Sequence, residues 1–264
     1  MFICCNLAVL MLVLTFAGQA HAGKIIGGHE AKPHSRPYMV LVERKTPEKP
    51  TEHCGGFLLN EDFVMTAAHC QAMSYNVFLG MHSYLDKQKQ KLPVKQAFPH
   101  KNYHEENFKN DIMLLKVKSA RKSTYIHCTS LQKLYSFFTL SSKAKFTNNV
   151  KPIDLADSTD DPLPKSCSVA GWGWTSKENN MMSPNLMEVN VTLIDKRCCA
   201  KKNVFCSKGK KGPGKGDSGG PLVCEGKAYG VVSANKYLTN GSMLYKYTKI
   251  ADNQEWIDDI MKKF

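Results

Sequence analysis

The amino-acid sequence predicts an all-β protein, a sandwich or a barrel, that ends in one α-helix. Short segments rich in valine, leucine, phenylalanine and tyrosine recur between turn residues, among them YMVLVER, CGGFLL, DIMLLKV and PLVCEGKAYGVVSA. Such spacing, punctuated by glycine and proline, is typical of sandwiches and barrels. With 264 residues, 42% of them hydrophobic, the chain can bury the core of one large domain or of two fused subdomains.

The C-terminal segment ADNQEWIDDIMKKF carries the helical pattern. Two lysines stand at its end, where the helix dipole favours cations. Four apolar residues recur at the spacing of one helix face, namely Ile257, Ile260, Met261 and Phe264.

The first 22 residues have the features of a secretory signal peptide. Their apolar run, from Leu7 to Ala17, is shorter than the roughly 20 residues that a membrane-spanning helix needs. It is followed by Ala20-His21-Ala22, a small-x-small pattern that signal peptidase cuts. We therefore predict a secreted protein without a membrane anchor.

Secretion makes disulfides the expected state of the cysteines. Two of the ten lie in the predicted signal peptide. None of the others has the paired spacing typical of a zinc site, so we expect neither a metal nor a cofactor. The eight that remain are Cys54, Cys70, Cys128, Cys167, Cys198, Cys199, Cys206 and Cys224.

The segment GKGDSGGPLV, residues 214–223, sets Ser218 between glycines directly before an apolar run. A serine hydroxyl is a poor nucleophile unless a base takes its proton and nearby donors stabilise the oxyanion. Glycines let the backbone turn so that successive N–H groups point at one spot, which makes Gly216 and Ser218 candidate oxyanion donors. A Gly-Asp-Ser-Gly tetrapeptide is also common in ordinary turns, so this segment alone leaves both interpretations open.

Two further segments supply a base and a carboxylate. VMTAAHC ends a strand-like run with His69, and NDIMLLKV begins one with Asp111. In residue identity and chain order, the three segments resemble the chymotrypsin-like serine proteases, and the resemblance runs from about Ile25 to Phe264.

This resemblance implies two six-stranded antiparallel Greek-key β-barrels followed by a C-terminal helix. It also implies a serine endopeptidase in which His69 is the general base, Asp111 orients it and Ser218 attacks the scissile carbonyl. The partners that it implies are protein or peptide substrates, serine protease inhibitors and an activating protease.

The segment GKIIGG resembles the activation site of this family. By that resemblance, cleavage after Lys24 frees an α-amine on Ile25, which pairs with Asp217. A buried carboxylate without its partner is costly, so the loop around Ser218 is expected to take its oxyanion-binding shape only after cleavage. Signal cleavage after Ala22 would leave residues 23–24 as an activation dipeptide and 25–264 as the peptidase domain. Removal of the dipeptide and cleavage by a trypsin-like enzyme both remain open.

The two-residue extension and the segment IIGGHEAKPHSRPYMV narrow the resemblance to granzymes, mast-cell chymases and cathepsin G, which immune cells store in granules. A secreted or granule-stored immune protease is therefore expected. The resemblance also implies three disulfides. Cys128 and one of two adjacent cysteines are then without an implied partner. The implied pairs are Cys54 with Cys70, Cys167 with Cys224, and Cys206 with either Cys198 or Cys199.

The resemblance assigns four residues to the primary specificity pocket: Gly212, Ser233, Asn235 and Tyr245. Trypsin-like members carry an aspartate where Gly212 stands, so cleavage after lysine or arginine is not expected. Tyr245 lies about where granzyme B carries an acid-binding arginine. We expect Tyr245 to fill part of the pocket and to favour small or medium uncharged side chains.

The chain is strongly basic, with 36 Lys plus Arg against 23 Asp plus Glu and a formal net charge of +13. Lysines cluster within residues 87–91, 201–202 and 208–215. Such runs are either solvated faces or polyanion sites. Without interleaved aromatic residues, nucleic acid is not expected, and sulfated proteoglycan or heparin is the better candidate. Lys215, at the pocket rim, either attracts acidic substrate residues or is simply solvated.

Two sequons make Asn190 (NVT) and Asn240 (NGS) candidate N-glycosylation sites. An atypical insertion, at about residues 119–142, makes one connection about twenty residues longer than the resemblance implies, whereas structureless loops beyond about 12 to 15 residues are uncommon. It is either a tolerated surface loop or translated intronic sequence.

A catalytically silent cationic granule protein that binds polyanions or microbes is the alternative function. The intact His69, Asp111 and Ser218 favour the protease. Reaction with a serine-directed fluorophosphonate after activation would separate the two. A non-productive isoform that never folds is a third possibility, which failure of secretion would reveal.

Overall fold

A computed structural model describes residues 25–49, 51–117, 143–160, 164–174, 181–194, 199 and 203–264. The predicted signal peptide, the activation dipeptide and the 119–142 insertion lie outside the described residues, as do Cys128 and Cys198. In the part of the chain that the structure describes, no helix is long and apolar enough to cross a membrane.

The first half of the chain forms a closed antiparallel barrel. Alternation builds its walls: in SYNVFL, for example, the tyrosine, valine and leucine point inward and are buried. Its strands are β2 (Met39–Lys45), β3 (Glu52–Leu58), β4 (Phe63–Thr66), β5 (Ser74–Leu79), β6 (Gln90–Pro99) and β7 (Met113–Val117). They close in the order β2-β3-β4-β7-β6-β5.

The second half forms an antiparallel sheet, joined by a short strand from the start of the described residues. The strands are β1 (His29–Glu30), β8 (Ser166–Gly171), β9 (Met187–Thr192), β10 (Val204–Gly209), β11 (Pro221–Cys224), β12 (Lys227–Tyr237) and β13 (Met243–Lys249). Their order is β1-β9-β8-β11-β12-β13-β10. An isolated bridge between Leu193 and Ser207 joins the regions of β9 and β10. The sheet thus has seven strands because the two-residue β1 adds to the expected six.

The predicted C-terminal helix is confirmed as α1 (Gln254–Lys263). Ile257 is buried in the core of the first barrel, and Ile260 and Met261 pack against the same core. Phe264 places its ring 4.6 Å from the ring of Phe98. The apolar face of the helix therefore covers the barrel.

One core cluster runs from the first barrel into the second sheet. It combines β2 to β7 side chains with Val223, Ala228 and Val231 of the second half. The backbone N–H of Gly55 in β3 also donates to the carbonyl of Ser218, at 2.7 Å. This junction holds the three segments that the sequence singled out.

Candidate active site

His69 and Asp111 form a hydrogen-bonded pair at the junction. His69 lies in a 3₁₀ turn, Ala68–Cys70, that follows β4. Its Nδ1 is 2.8 Å from Asp111 Oδ2, and its backbone N–H donates to Asp111 Oδ1 at 2.9 Å. A carboxylate only accepts hydrogen bonds, so in the neutral imidazole the ring proton lies on Nδ1 and Nε2 is the acceptor.

Asp111 is fully buried, yet its polar atoms are satisfied. Ser233 Oγ donates to Asp111 Oδ2 at 2.6 Å, and Thr248 Oγ1 donates to the Asp111 carbonyl at 3.0 Å. A buried carboxylate is tolerated only when hydrogen bonds of this kind replace its water. The carboxylate is therefore fixed in one orientation toward the imidazole.

Ser218 belongs to residues 214–220, which are wedged between the two halves and which we name the nucleophile loop after the predicted role of Ser218. The N–H of Gly219 donates to the Val232 carbonyl at 2.8 Å. Gly219 has a φ of +86°, and a Cβ there would collide with Thr66 Oγ1 and come within 2.9 Å of the Ala67 nitrogen. Only glycine allows this contact, which brings Ser218 beside the turn that carries His69.

Gly216, the other candidate oxyanion donor, also has a left-handed conformation, with a φ of +96°. The carbonyl of Lys215 accepts the N–H of Trp174 at 2.7 Å. In a trans peptide the C=O and the following N–H point in opposite directions, so the Gly216 N–H is directed away from Trp174.

Asp217 belongs to the nucleophile loop, and its side chain is buried. Burial raises its pKa to about 7, although hydrogen bonds from the N–H groups of Gly214 and Gly173 act in the opposite direction. Those two bonds measure 2.8 and 2.7 Å. Ile25 is also buried, but in the uncleaved chain its nitrogen is a peptide nitrogen without charge. The Ile25–Asp217 ion pair stays a prediction for the cleaved chain.

The family model for trypsin matches residues 25–257. The chain belongs to the trypsin family of serine proteases. Duodenase-1 of Bos taurus is 40% identical over 97% of this chain and 96% of its own length. Granzyme B of Homo sapiens is 38% identical, over 97% and 98% of the two chains. A solved structure, "Structure of GrC", covers 90% of this chain and 100% of its own at 33% identity, with a TM-score of 0.73.

These findings confirm the expected chymotrypsin-like fold and the granzyme-like resemblance. This trypsin-family protein is a serine endopeptidase, a hydrolase whose substrates are peptide bonds.

Three of the four predicted pocket residues of the protease come together. The Tyr245 ring packs on Gly212, where a Cβ would lie 2.5 Å from ring carbons Cε2 and Cζ. Asn235 is paired with Tyr245 across β12 and β13. Within the described residues the buried Tyr245 hydroxyl has no hydrogen-bond partner, and burial raises its pKa to about 12. Ser233 instead directs its hydroxyl to Asp111.

Three disulfides lie within the described residues of the protease. Cys199 and not Cys198 pairs with Cys206, which resolves the alternative that the sequence left open. The others are Cys54–Cys70, which ties β3 to the His69 turn, and Cys167–Cys224, which ties β8 to β11.

Besides Thr248, two further side chains near His69 were not singled out from the sequence. Arg44 Nη1 lies 3.3 Å from the carbonyl oxygens of both His69 and Gln71, and its Nη2 is 2.9 Å from Glu52. The Phe108 ring meets the His69 ring edge-on, with centroids 5.7 Å apart. Nothing local in the sequence signals either contact, because each depends on the barrel topology.

Part of the basic charge of the protease surrounds a surface cavity of about 200 Å³. Lys208, Lys210 and Lys211 line it together with Asn190, a predicted glycosylation site that is exposed on β9. Asn240, the other predicted glycosylation site, is exposed in a turn. Lys201 and Lys202 lie outside the described residues.

Proposed function

We propose that this endopeptidase acts through a catalytic triad of Ser218, His69 and Asp111. The observation that carries the proposal is the bond of 2.8 Å from His69 Nδ1 to the buried Asp111 carboxylate, because it leaves Nε2 as the free base. The wedged position of the nucleophile loop beside the His69 turn supports the role of Ser218.

In this mechanism Ser218 Oγ attacks the scissile carbonyl carbon while its proton moves to His69 Nε2. The N–H groups of Gly216 and Ser218 bind the oxyanion of the tetrahedral intermediate. His69 then gives the proton to the leaving amine, and an acyl-enzyme remains on Ser218. A water molecule, deprotonated by His69, hydrolyses this ester, and the proton returns to Ser218.

Activation follows from the state of Asp217. A carboxylate with a raised pKa and no cationic partner within the described residues is an unfavourable element of the uncleaved chain. Cleavage after Lys24 would supply the Ile25 ammonium as that partner. The activating protease is either an enzyme that removes the dipeptide 23–24 from the chain's N-terminus or a trypsin-like enzyme that cleaves after Lys24.

We propose that the protease prefers substrates with a small or medium uncharged side chain at the residue before the cleaved bond. The Tyr245 ring on Gly212 supports this preference, because it occupies the space that a long side chain would need. Gly212 brings no carboxylate for lysine or arginine. Lys215, whose Nζ lies 4.5 Å from the centroid of the Trp174 ring, is a candidate contact for acidic residues elsewhere in the substrate.

A secreted or granule-stored role in immune cells is the setting that the predicted signal peptide supports. Similarity to granzyme B and to mast cell protease 3 of Ovis aries, 38% identical, supports it as well. Sulfated proteoglycan or heparin and serine protease inhibitors are the proposed partners. The three lysines around the surface cavity support polyanion binding.

Replacement of Ser218 by alanine in the chain that starts at Ile25 tests the proposal. We expect turnover to be lost while the fold is kept, because a methyl group fits where the hydroxyl was. Ser158→Ala, in an exposed turn, is the matched control and should retain turnover. Substantial proteolysis by the Ser218→Ala variant would contradict the triad, whereas absence of turnover in the unmutated chain that starts at Ile25 would favour the silent polyanion-binding alternative.

A further inference from the structure

Asn190, one of the two predicted glycosylation sites, lies on the outer face of β9. Its sequon is Asn190-Val191-Thr192. Because side chains alternate along a strand, the asparagine and the threonine share one face and the valine points to the other. The burial follows this pattern, since Asn190 and Thr192 are exposed and Val191 is buried. The side chain that would carry a glycan is therefore directed to solvent.

The same part of β9 forms one wall of the surface cavity described above. An isolated antiparallel bridge pairs Leu193 with Ser207 of β10. Continued along the two segments, this register sets Asn190 opposite Lys210, one residue beyond the end of β10. Both residues line the cavity, which has a volume of about 200 Å³. The predicted glycosylation site and the lysine thus face one enclosed space.

The opposite wall of the cavity is cationic. Lys208, Lys210 and Lys211 line it, and all three are exposed. Among the described residues, none of their ammonium groups takes part in an ion pair with a carboxylate. Several cations without a paired carboxylate at one place raise the local concentration of anions. This wall is therefore the part of the cavity that a sulfated chain would contact.

Asn190 also borders a second cavity, of about 270 Å³, whose charges are balanced. The cation in its lining is Arg36, and Arg36 Nη2 lies 2.9 Å from Glu188 Oε2. The same lining includes the carboxylate of Glu225. Sulfate groups therefore favour the lysine wall over this second cavity.

We propose that an N-glycan on Asn190 and a sulfated polysaccharide exclude each other at the surface cavity, so that glycosylation weakens polyanion binding. The inference rests on the proposed function, in which the lysines around this cavity bind sulfated proteoglycan or heparin. In the modification, the donor is an oligosaccharide carried on a lipid diphosphate. The Asn190 amide nitrogen forms a bond to C1 of its first sugar, the bond from that carbon to the phosphate oxygen breaks, the lipid diphosphate leaves, and the amide nitrogen loses one proton.

The exclusion follows from space and from charge. An N-glycan is bulky, and its first sugars stand at the wall that faces Lys210. A cavity of about 200 Å³ does not hold these sugars and a sulfated chain together. A sulfate that is kept away from the lysines loses most of its attraction, because Coulomb energy falls with distance and exposed charges are screened by salt.

The experiment compares the protein secreted by cells that N-glycosylate with its Asn190→Gln variant, which keeps a neutral amide but has no sequon. Mass spectrometry of the peptide that contains residue 190 gives the glycan occupancy. The Kd for heparin and the salt concentration of elution from a heparin column give the binding. Glycosylated wild type should bind about tenfold more weakly than Asn190→Gln, the cost of losing several exposed ion pairs, and should elute at lower salt.

Two controls separate covering of the lysines from a general effect of glycans. Asn240→Gln removes the other predicted sequon, which does not line the cavity, and should keep wild-type binding. Joint replacement of Lys208 and Lys210 by glutamine removes the cations that the glycan is proposed to cover. In that background, removal of the Asn190 sequon should change the Kd by about twofold or less, because the two changes act on the same contact.

Equal Kd for glycosylated wild type and Asn190→Gln would overturn the proposal, and so would the absence of sugar on Asn190 in the secreted protein. An equal gain of affinity in Asn240→Gln would contradict it as well, because any glycan would then weaken binding. Failure of every form to bind heparin, Asn190→Gln included, would be a different result: the polyanion part of the proposed function would fail, and this inference would fall with it.

Discussion

The ring of Tyr245 lies on Gly212, where an added Cβ would come within 2.5 Å of two ring carbons. The floor of the proposed primary pocket is therefore an aromatic side chain and not a charge. In the proposed function this relationship would limit which substrates can enter, and it can be changed without touching His69, Asp111 or Ser218.

Replacement of Tyr245 by alanine should open the pocket. Substrates with leucine or phenylalanine before the cleaved bond should gain about tenfold or more in kcat/KM relative to those with alanine, since pocket size discriminates by about 10 to 200-fold per methylene. Tyr245→Phe keeps the ring and is the control, with a ratio close to that of wild type. An unchanged ratio in Tyr245→Ala would show that Tyr245 does not line the pocket.

The hydroxyls of Tyr245 and Tyr247 should differ in their effect on stability. Tyr245→Phe removes a buried hydroxyl without a partner in the described residues, so the free energy of unfolding should stay equal or rise by up to about 1 kcal/mol. In wild type the Tyr247 hydroxyl lies 2.8 Å from Ser207 Oγ. Tyr247→Phe leaves that Ser207 hydroxyl unpaired, so the free energy of unfolding should fall by about 1–3 kcal/mol. Urea unfolding measures the stability of both variants. Equal effects would contradict the conclusion that, of the two hydroxyls, only that of Tyr247 is hydrogen-bonded.

Asp217 should make the stability of the uncleaved chain depend on pH. Its folded pKa of about 7 lies above its ordinary value of about 4, so the folded state holds the proton longer than the unfolded state. Its contribution is fully present below about pH 4 and is lost as the pH rises through about 7. Urea midpoints across this range, in a Ser218→Ala background, should fall more steeply with rising pH than those of Asp217→Asn.

The cleaved chain is the control for this measurement. An Ile25 ammonium beside Asp217 would favour the charged carboxylate. In the cleaved chain, the difference in pH dependence between Asp217 and Asp217→Asn should therefore vanish or reverse. Parallel pH curves for the uncleaved chain and its Asp217→Asn variant would contradict the buried, unpaired state of Asp217.

Arg44 should act as a positioning residue for the His69 turn. Arg44→Gln removes its two bonds to the carbonyls of His69 and Gln71, and we expect a loss of about fivefold in kcat, which corresponds to about 1 kcal/mol. Arg44→Lys should recover part of the rate. Arg36→Gln, which breaks a surface pair with Glu188, should leave kcat unchanged. Equal kcat in Arg44→Gln and wild type would show that Arg44 does not position the His69 turn.

Lys208 and Lys210 should contribute to heparin binding. Their joint replacement by glutamine should move elution from heparin to lower salt, because exposed charges are screened beyond about 8 Å at physiological ionic strength. Lys262 and Lys263 at the end of α1 are the matched control pair. An equal shift for both pairs would mean that net charge and not the cavity determines binding.

The sequence predicted the parts of this account that depend on local pattern. Alternating apolar residues predicted the strands, the spacing in α1 predicted its buried face, and the glycines around Ser218 predicted a tight loop. Contacts between strands that are distant along the chain could not be predicted from local pattern. The bond from Arg44 to the His69 carbonyl and the ring contact of Phe108 with His69 arise only when the barrel assembles. The choice of Cys199 over Cys198 depends likewise on which side chain faces β10.

Labelling with a serine-directed fluorophosphonate tests the central claim most directly. The chain that starts at Ile25 should take up one equivalent, with the label on Ser218 in the peptide map, and His69→Ala should abolish the uptake. The chain that starts at Gly23 should label far more slowly. Rapid labelling of both chains would contradict the activation switch, and the absence of label on Ser218 in the cleaved chain would contradict the triad itself.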